Sequence, residues 1–591
     1  MTFFKTFSAS LLAFLLAGGA LLVLFMLALV AMISSSFSSR VAPIGSEGVL
    51  KIDFAQKIVD SPNFAAKNSL DFSTLTFNTS LSLLDVIAAI EAAMSDDRIK
   101  GIYLDFNSPL SMSFAMAEEL RSALLKFKIS GKFVVAYGEY YSQGALFLAS
   151  VADKIYLNPE GGVQWQGLAL NQIYYKGLFD KLGVEAYVLR SGDYKSAVEP
   201  YILTQMSKES KVQEGELVNS LWQTIVQEIS KSREINLPLL QSYADKLSVV
   251  YPEDAERFGF VDSLLYFDKV QQQINLCMAK AKDEKINFVS LSRYVDAISL
   301  KASNSKNKIA VVYVDGQIIS GKSEDEMVGS ETVCRQLRKV REDKNVKALV
   351  LRVNSPGGSA LASEVIYREV ELVKQKIPVI VSMGGIAASG GYYVAAPADA
   401  IVASRMTLTG SIGVFSLMFD AKEGMNKHLG ITSDGVKTNT SADMQSVLRK
   451  PTKTELDYGQ KQVDRVYKTF KNRVEKGRNL SEDDVEKLAQ GRVYTGEGAL
   501  KRGLIDGIGG FSSAILFAEQ RANLNGDFTI WQLREEDDTL TALLKQFGTS
   551  NAKAQLRNEI TDAFVSYKTL QNIITQQNKV WAYTPYIYEL Q

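Results

Sequence analysis

The sequence predicts an α/β protein that consists of two tandem copies of one domain, preceded by a single N-terminal transmembrane helix. Three observations lead to this prediction: an internal repeat offset by about 246 residues, an alternation of short apolar strands with amphipathic helices, and one long uncharged stretch near the N-terminus. The length of 591 residues also favours more than one globular unit, because single hydrophobic cores stop growing well below this size.

The uncharged stretch predicts the membrane helix. No charged residue lies between Lys5 and Arg40, and residues 9–33 are almost continuously apolar. Roughly 20 apolar residues cross a bilayer, whereas the apolar core of a cleaved signal peptide has only about 7 to 15. We therefore expect an uncleaved single-pass anchor within residues 1–46, with a cleaved signal peptide as the alternative. The flanking charges orient it weakly, but the short N-terminal head favours placing the remaining chain outside the cell membrane.

The two halves of the chain match each other in sequence. Residues 101–113 (GIYLDFNSPLSMS) resemble residues 348–360 (ALVLRVNSPGGSA), and each segment is an apolar strand that ends in Asn-Ser-Pro. Farther on, residues 133–157 match residues 379–403. In both halves β-branched strands alternate with helical patterns, which indicates βαβ units around a largely parallel, buried sheet.

The composition along the chain predicts the domain boundaries. We expect a membrane anchor in residues 1–46, a first repeat in 47–270, a Gln-, Lys- and Ser-rich connector in 271–306, a second repeat in 307–525 and a C-terminal extension of unknown role in 526–591. The C-terminal extension has no visible counterpart in the first half.

The overall composition excludes several functions. Lys plus Arg and Asp plus Glu both number 66, so no excess positive charge is present to bind nucleic acid. The single histidine, His428, lies at a helix end before Gly430 and is better placed to cap that helix or meet solvent than to act as a base. Cys277 and Cys334 are too few for a four-thiolate zinc site, and they form either one disulfide or two free thiols. We expect neither a metal nor a cofactor.

The differences between the halves indicate where the chemistry lies. The second half has Gly357 and Gly358 after its Asn-Ser-Pro, where the first half lacks glycines, and it has Ser389 where the first half has Gln143. A serine on a sharp turn between a strand and a helix has the geometry of a nucleophile elbow, and a glycine turn lets backbone amides face an oxyanion. Ser389 by itself is better explained as a small residue that fills a tight Gly-rich turn, but its combination with the glycine pair reverses this preference and favours catalysis.

A serine nucleophile needs a base. A lysine serves this role when burial removes its charge. Lys195 follows an apolar strand in the segment GDYKSAVEP, and its counterpart in the second half is Ala442. The first half thus keeps a lysine without the serine, and the second half keeps Ser389 without the lysine. This crossed pattern predicts one active site built between the halves.

Four segments, LRVNSPGGS, MGGIAASGGYYVAAPAD, TLTGSIGV and GDYKSAVEP, closely resemble the motifs of long-form signal peptide peptidase A (SppA, protease IV), a family of membrane-anchored bacterial proteases. The likeness extends from the anchor to about residue 525. It implies tandem ClpP/crotonase-like domains and the following site: Ser389 as nucleophile, Lys195 as general base, Ser411 as the residue that orients the lysine, and Gly358 and Gly390 as backbone oxyanion donors. The first half has Trp165 at the position of Ser411.

The same resemblance implies a function. It predicts a membrane-bound serine endopeptidase that degrades cleaved signal peptides and other apolar extended peptides through an acyl-enzyme. It further predicts a homotetramer in the bacterial inner membrane, with one dyad per chain and the catalytic body on the periplasmic side. Two alternatives remain: a crotonase-like acyl-CoA enzyme, which shares the Gly-rich oxyanion geometry, and a non-catalytic membrane scaffold whose glycine turns are structural.

Overall fold

A computed structural model of the protein describes residues 18, 47–61, 69–71, 76–78, 80–299, 305–324, 326–533 and 580–583. The predicted membrane segment, residues 9–33, lies outside these residues apart from Gly18. Within the described part of the chain, none of the helices combines the length and the apolar character needed to cross a membrane.

The first half alternates strands and helices. Its strands are β1 (Gly48–Asp53), β2 (Ile58–Val59), β3 (Ser69–Asp71), β4 (Thr76–Asn78), β5 (Leu81–Ser82), β6 (Ile99–Asp105), β7 (Phe133–Tyr141), β8 (Lys154–Val163), β9 (Glu185–Ser191), β10 (Ser263–Leu264) and β11 (Phe288–Ser290). Its α-helices are α1 (Leu83–Ser95), α2 (Phe114–Lys128), α3 (Gln143–Ala149), α4 (Lys176–Leu182), α5 (Glu199–Ile202), α6 (Lys208–Arg233), α7 (Leu237–Asp245), α8 (Pro252–Arg257), α9 (Phe267–Cys277) and α10 (Leu291–Ser299). A short 3-10 helix, Ser196–Val198, follows β9.

The second half repeats this alternation. Its strands are β12 (Lys308–Asp315), β13 (Gln317–Ile319), β14 (Met327–Gly329), β15 (Val346–Ser355), β16 (Gly357–Ser359), β17 (Val379–Ala388), β18 (Ala400–Ala403), β19 (Leu408–Gly410), β20 (Val414–Asp420), β21 (Val493–Thr495), β22 (Gly507–Ile508), β23 (Thr529–Gln532) and β24 (Trp581–Tyr583). Its helices are α11 (Ser330–Glu342), α12 (Ala360–Lys374), α13 (Gly390–Ala395), α14 (Lys422–Leu429), α15 (Lys453–Arg478), α16 (Glu482–Leu488), α17 (Gly496–Leu500) and α18 (Phe511–Arg521).

Each half is built on a parallel sheet with the same strand order. The first sheet has the order β10-β8-β7-β6-β1-β11, and the second contains the corresponding series β22-β18-β17-β15-β12-β23. All neighbours in both series are parallel. Central strands such as β12 and β15 are buried along nearly their whole length, as expected for apolar strands covered by helices on both faces. The predicted α/β class and the internal duplication are confirmed.

Equivalent side chains support the duplication in detail. The carboxylate of Asp262 accepts a hydrogen bond from the amide of Ile155 (2.8 Å), and the carboxylate of Asp506 accepts one from the amide of Ile401 (2.7 Å). Each aspartate thereby holds the last strand of the series against its neighbour in the same way. The two repeats therefore share contacts as well as topology.

Both repeats extend beyond the predicted boundaries. Strand β11 lies in the predicted connector, residues 271–306, and pairs with β1, whereas β23 lies in the predicted extension, residues 526–591, and pairs with β12. The expectation that the C-terminal extension has no counterpart in the first half is therefore wrong for β23, which corresponds to β11. These edge strands have only three and four residues, so they leave almost no periodic pattern in the sequence.

The two halves are interlocked. Strand β9 of the first half pairs antiparallel with β20 of the second half, and helix α15 packs on both strands. Between the halves, the buried guanidinium of Arg352 contacts the carboxylates of Asp60 (2.5 Å) and Glu119 (2.8 Å). The largest apolar cluster also combines side chains from both halves. This interlocking places first-half residues beside the end of β17.

Candidate active site

Ser389 occupies a sharp turn between β17 and α13. Its φ of 56° and ψ of −115° lie outside the regions that non-glycine residues prefer. The turn is held by the Ser389 amide, which donates to the carbonyl of Gly410 (2.8 Å), and by the Tyr393 amide, which donates to the Ser389 carbonyl (2.8 Å). The Ser389 hydroxyl makes no helix-capping hydrogen bond. This strained turn matches the nucleophile elbow expected from the sequence.

Lys195 reaches this turn from the first half of the chain. Strand β9 crosses to the second half, where Ser191 lies opposite Val414 of β20. Lys195 follows four residues later, immediately before the 3-10 helix. Its Nζ lies 2.8 Å from the Oγ of Ser389. Residues 194 positions apart in sequence are therefore within hydrogen-bond distance.

Ser411 contacts the same lysine. The Nζ of Lys195 lies 2.9 Å from the Oγ of Ser411 and 3.2 Å from its carbonyl oxygen. Ser411 itself has a positive φ of 51°, and its amide donates to the carbonyl of Arg492 (2.7 Å). The backbone at Ser411 is thus fixed in an uncommon conformation that directs two oxygen atoms at one amine.

Burial determines the charge of Lys195. The residue is only 1% exposed. Loss of water around the amine holds the pKa of Lys195 well below its ordinary value. The amine is therefore shifted toward the neutral form, which has a lone pair and accepts a proton.

Glycines bring the two predicted oxyanion elements together. A Cβ atom at Gly358, in β16, would lie 2.0 Å from the carbonyl oxygen of Ile318, so only glycine fits there. A Cβ atom at Gly391 would lie 2.5 Å from the carbonyl oxygen of Ser355, so the glycine turn and helix α13 approach each other closely. Gly390 is the first residue of that helix. The structure thus places Gly358 and Gly390 on the two elements that flank the nucleophile elbow.

Sequence reasoning missed a loop, residues 490–492, that holds the lysine. The Tyr194 amide donates to the carbonyl of Gln490 (2.9 Å), and the Gly491 amide donates to the carbonyl of Ile412 (2.8 Å). A Cβ atom at Gly491 would lie 2.8 Å from both the backbone nitrogen and the Cβ of Lys195. The loop therefore packs its backbone directly on the lysine.

The sequence did contain a signal for this loop. Alignment of Tyr251 with Tyr494 in the two repeats places Ser248 opposite Gly491. The comparison of repeats that singled out Ser389 therefore also distinguishes Gly491. Its meaning depends on the approach of Lys195, which comes from almost 300 residues away in the sequence and is visible only in the folded chain.

The corresponding positions of the first half have structural roles. The side-chain oxygen of Gln143 accepts hydrogen bonds from the amides of Gln166 (2.9 Å) and Gly167 (2.7 Å). Trp165 is buried against Trp222, with ring centroids 4.8 Å apart, and its Nε1 donates to a backbone carbonyl. The counterparts of Ser389 and Ser411 are therefore part of the first half's packing.

The histidine and the cysteines lie apart from this chemistry. His428 is exposed in the last turn of α14, which ends at Gly430 in the left-handed conformation (φ 64°), and this confirms the predicted helix end. Cys277 is exposed, Cys334 is buried, and both are free thiols, so the alternative of one disulfide is wrong.

Comparisons with known proteins identify the family of the chain. The model of peptidase family S49 matches residues 126–282 and 371–525, one match in each half. Protease 4 of Haemophilus influenzae is 38% identical over 90% of this chain and 89% of its own length. Protease 4 of Salmonella typhi is 36% identical over 87% of this chain and 84% of its own. The chloroplastic serine protease SPPA of Arabidopsis thaliana is 32% identical over 80% of this chain and 71% of its own.

The fold and the site define a serine protease. The chain belongs to peptidase family S49, and the resemblance to long-form SppA is confirmed. This assignment excludes the acyl-CoA enzyme and the non-catalytic scaffold as the function. Among solved structures, a ClpP1 mutant from Listeria monocytogenes matches 35% of this chain and 94% of its own, with 15% identity and a TM-score of 0.24. A score this low supports no conclusion about fold, so the ClpP/crotonase-like assignment remains a prediction from the motifs.

Proposed function

We propose that the protein is a membrane-bound endopeptidase in which Ser389 is the nucleophile and Lys195 the general base. The observation behind this proposal is the 2.8 Å contact between the Nζ of Lys195 and the Oγ of Ser389, made by a fully buried lysine. A neutral amine has one lone pair and two N–H groups. The lone pair accepts the Ser389 hydroxyl hydrogen, and the N–H groups donate to the two oxygens of Ser411. Ser411 thereby orients the lysine.

The reaction we propose is amide hydrolysis through an acyl-enzyme. Lys195 takes the proton of the Ser389 hydroxyl while the Oγ attacks the substrate carbonyl. The amides of Gly358 and Gly390 stabilise the oxyanion that forms. Lys195 then gives its proton to the leaving amine as the C–N bond breaks. A water molecule repeats these steps on the acyl-enzyme, which releases the carboxylic acid and restores neutral Lys195.

We propose extended apolar peptides as substrates, and signal peptides left in the membrane after secretion as their source. The low pKa of Lys195 depends on the exclusion of water. An apolar peptide bound beside the dyad preserves this dry environment, whereas a highly charged peptide brings water and countercharges with it. The resemblance to the long-form SppA motifs supports the same substrate class.

Labelling with a serine-directed phosphonate tests the dyad. We expect covalent modification at Ser389 in the wild-type chain and its loss in Lys195→Ala, because the hydroxyl then lacks its base. Lys181→Ala is the matched control, since Lys181 is an exposed lysine on α4. Circular dichroism checks that each variant is folded. A folded wild-type chain that is not labelled, or a Lys195→Ala chain labelled at the wild-type rate, would contradict the proposal.

The anchor, the oligomer and the location are proposals of the same kind. We propose that residues 9–33 fix the chain in the bacterial inner membrane, that the catalytic body faces the periplasm, and that the protein forms a homotetramer. The uncharged length of residues 9–33 supports the anchor. Membrane fractionation with and without residues 1–46, protease accessibility in spheroplasts, and light scattering of the detergent-solubilised chain test the three statements separately.

A further inference from the structure

Strand β17 contains a bulge shortly before Ser389. Residues 384–386 of β17 lie opposite the single residue Asn354 of β15. The two strands pair directly before and directly after this point, at Val353–Met383 and at Ser355–Ala387. A bulge bends its strand and redirects the side chains that follow, and bulges are frequent next to active sites. The nucleophile elbow lies three residues beyond this β17 bulge, so the bulge sets the direction in which β17 enters the elbow.

The side chain of Asn354 holds this bulge. Its Oδ1 accepts a hydrogen bond from the amide of Ile386 (3.2 Å), which lies within the bulge. A Cβ atom at Gly384 would lie 2.9 Å from the Cβ of Asn354, so the absence of a side chain at Gly384 lets Asn354 lie close against the bulge. Where the ladder between β15 and β17 is interrupted, a side-chain oxygen of Asn354 thus bonds the backbone of β17.

The nitrogen of the same side chain is bound to β12. The Nδ2 of Asn354 donates to the Oδ1 of Asp315 (2.9 Å), the last residue of β12. A backbone amide only donates and an ionised carboxylate only accepts, so this bridge needs an acceptor and a donor on one side chain. Asparagine has both, whereas aspartate would turn an oxygen toward Asp315 and alanine would reach neither partner. The chemistry of the two partners therefore selects asparagine.

The β17 bulge is also held from the side of β19. The hydroxyl of Thr407, directly before β19, donates to the carbonyl of Gly384 (2.8 Å). Ser411 follows Thr407 by four residues, and Gly358 follows Asn354 by four residues. The bulge therefore lies between the segments that lead to the lysine-orienting serine and to a proposed oxyanion donor. A shift of the bulge changes the position of the nucleophile relative to both.

We propose that Asn354 is a positioning residue for the reaction, because its side-chain amide holds the β17 bulge in the place from which the elbow directs Ser389 at Lys195. This inference rests on the proposed function, since it takes Ser389 and Lys195 as the reacting pair. The first half offers a comparison within the same chain. Its counterpart of Asn354 is Asn107, which is exposed. The asparagine is thus present in both halves, but it is packed against its sheet in the half that carries the nucleophile.

Peptide cleavage by Asn354→Ala tests this role. A displacement of about 1 Å at the reacting atoms reduces the rate about a hundredfold, so we expect kcat to fall about tenfold to a hundredfold while KM changes less than about twofold. Asn107→Ala, at the equivalent exposed position, is the matched control and should keep the wild-type kinetics. Loss of water around its carboxyl group and the nearby charge of Asp60 raise the pKa of Asp315 to about 7. The assays are therefore run at about pH 9, where this carboxylate is ionised.

An exchange of the two side chains separates positioning from the filling of space. Asn354→Asp keeps the size of the side chain and the acceptor for the Ile386 amide, but it sets an oxygen against the carboxylate of Asp315, so kcat should fall as in Asn354→Ala. The further substitution Asp315→Asn returns a donor to the pair and should restore most of the lost kcat. A side chain that only fills space would leave kcat unchanged in Asn354→Asp.

Two further readouts separate the failure of this inference from the failure of the proposed function. Hydrogen exchange at residues 384–389 should accelerate in Asn354→Ala, because the Ile386 amide loses its partner, and this readout needs no catalysis. Phosphonate labelling of the wild-type chain at Ser389 reports the dyad. In a chain that is labelled, a wild-type kcat in folded Asn354→Ala, or no recovery when Asp315→Asn is added to Asn354→Asp, overturns the positioning role. Accelerated exchange in a protein that is never labelled upholds the hold of Asn354 on the bulge and refutes the dyad.

Discussion

The Gly491→Ala substitution tests whether the loop 490–492 sets the position of the base. The added Cβ would lie 2.8 Å from the backbone nitrogen and the Cβ of Lys195, about 0.6 Å inside the 3.4 Å at which ordinary contact begins. Because the two contacted atoms are the backbone nitrogen and the Cβ of Lys195, rotation of the lysine side chain does not relieve the overlap. The whole lysine residue must therefore move by a distance similar to the overlap. A displacement of about 1 Å reduces catalysis about a hundredfold. We therefore expect kcat to fall at least about tenfold while KM changes less than about twofold.

A control for Gly491→Ala must introduce the same backbone strain, but its added Cβ must not contact other atoms. Gly491 has a φ of +78°, which costs an alanine about 1 to 2 kcal/mol. Gly430 has a φ of +64° and no atom within 4 Å of a built Cβ, so Gly430→Ala should lose similar stability and keep its activity. Peptide cleavage and thermal denaturation measure the two effects. A folded Gly491→Ala chain with wild-type kcat, or an equal loss of kcat in Gly430→Ala, would refute the reasoning.

Three further predictions concern charge and packing. Lys195 has a depressed pKa in the folded chain, so the unfolded chain binds more protons between that pKa and the ordinary one, and stability rises with pH in this window. The free energy of unfolding of the wild-type chain should therefore rise relative to that of Lys195→Met by up to about 1.4 kcal/mol per pH unit between pH 7 and 9. Urea titrations measure this difference. A difference that stays constant with pH would show that the lysine is charged. Arg352→Ala leaves buried carboxylates without their cation and should cost about 3 to 5 kcal/mol in chemical denaturation, whereas Arg338→Ala, in a half-exposed pair, should cost less than about 1 kcal/mol. Equal costs would mean that the buried pair does not hold the halves together. Gly358→Ala brings a Cβ within 2.0 Å of the Ile318 carbonyl oxygen and should abolish peptide cleavage, and near-normal cleavage would show that β16 tolerates a side chain there.

The differences between the repeats predicted the site because both copies have the same topology. Ser389 and Lys195 were each identified by the residue that replaces them in the other half, Gln143 and Ala442. This comparison requires only that the strands and turns match, and the two sheets share their strand order. The same comparison distinguishes Gly491 from Ser248 but assigns it no role, because a glycine before a strand has many structural explanations until its neighbour in space is known.

Short edge strands limited the predicted boundaries. β11 and β23 have three and four residues, and each adds to a sheet through backbone hydrogen bonds that any sequence can make. Side-chain periodicity therefore does not mark them. β24 escaped detection for the same reason, since its position depends on two strands that lie more than 150 residues earlier in the chain.

By itself, the sequence determined the α/β class, the duplication and the candidate nucleophile and base, because these follow from local patterns and from the comparison of two copies. Only the tertiary structure brings Lys195 to Ser389. It does so through the pairing of β9 with β20, the packing of Gly491 on Lys195 and the exclusion of water around the lysine amine. The electrostatic state of a lysine depends on everything that surrounds it. No local segment contains that information, because the surroundings of Lys195 are assembled from both halves of the chain.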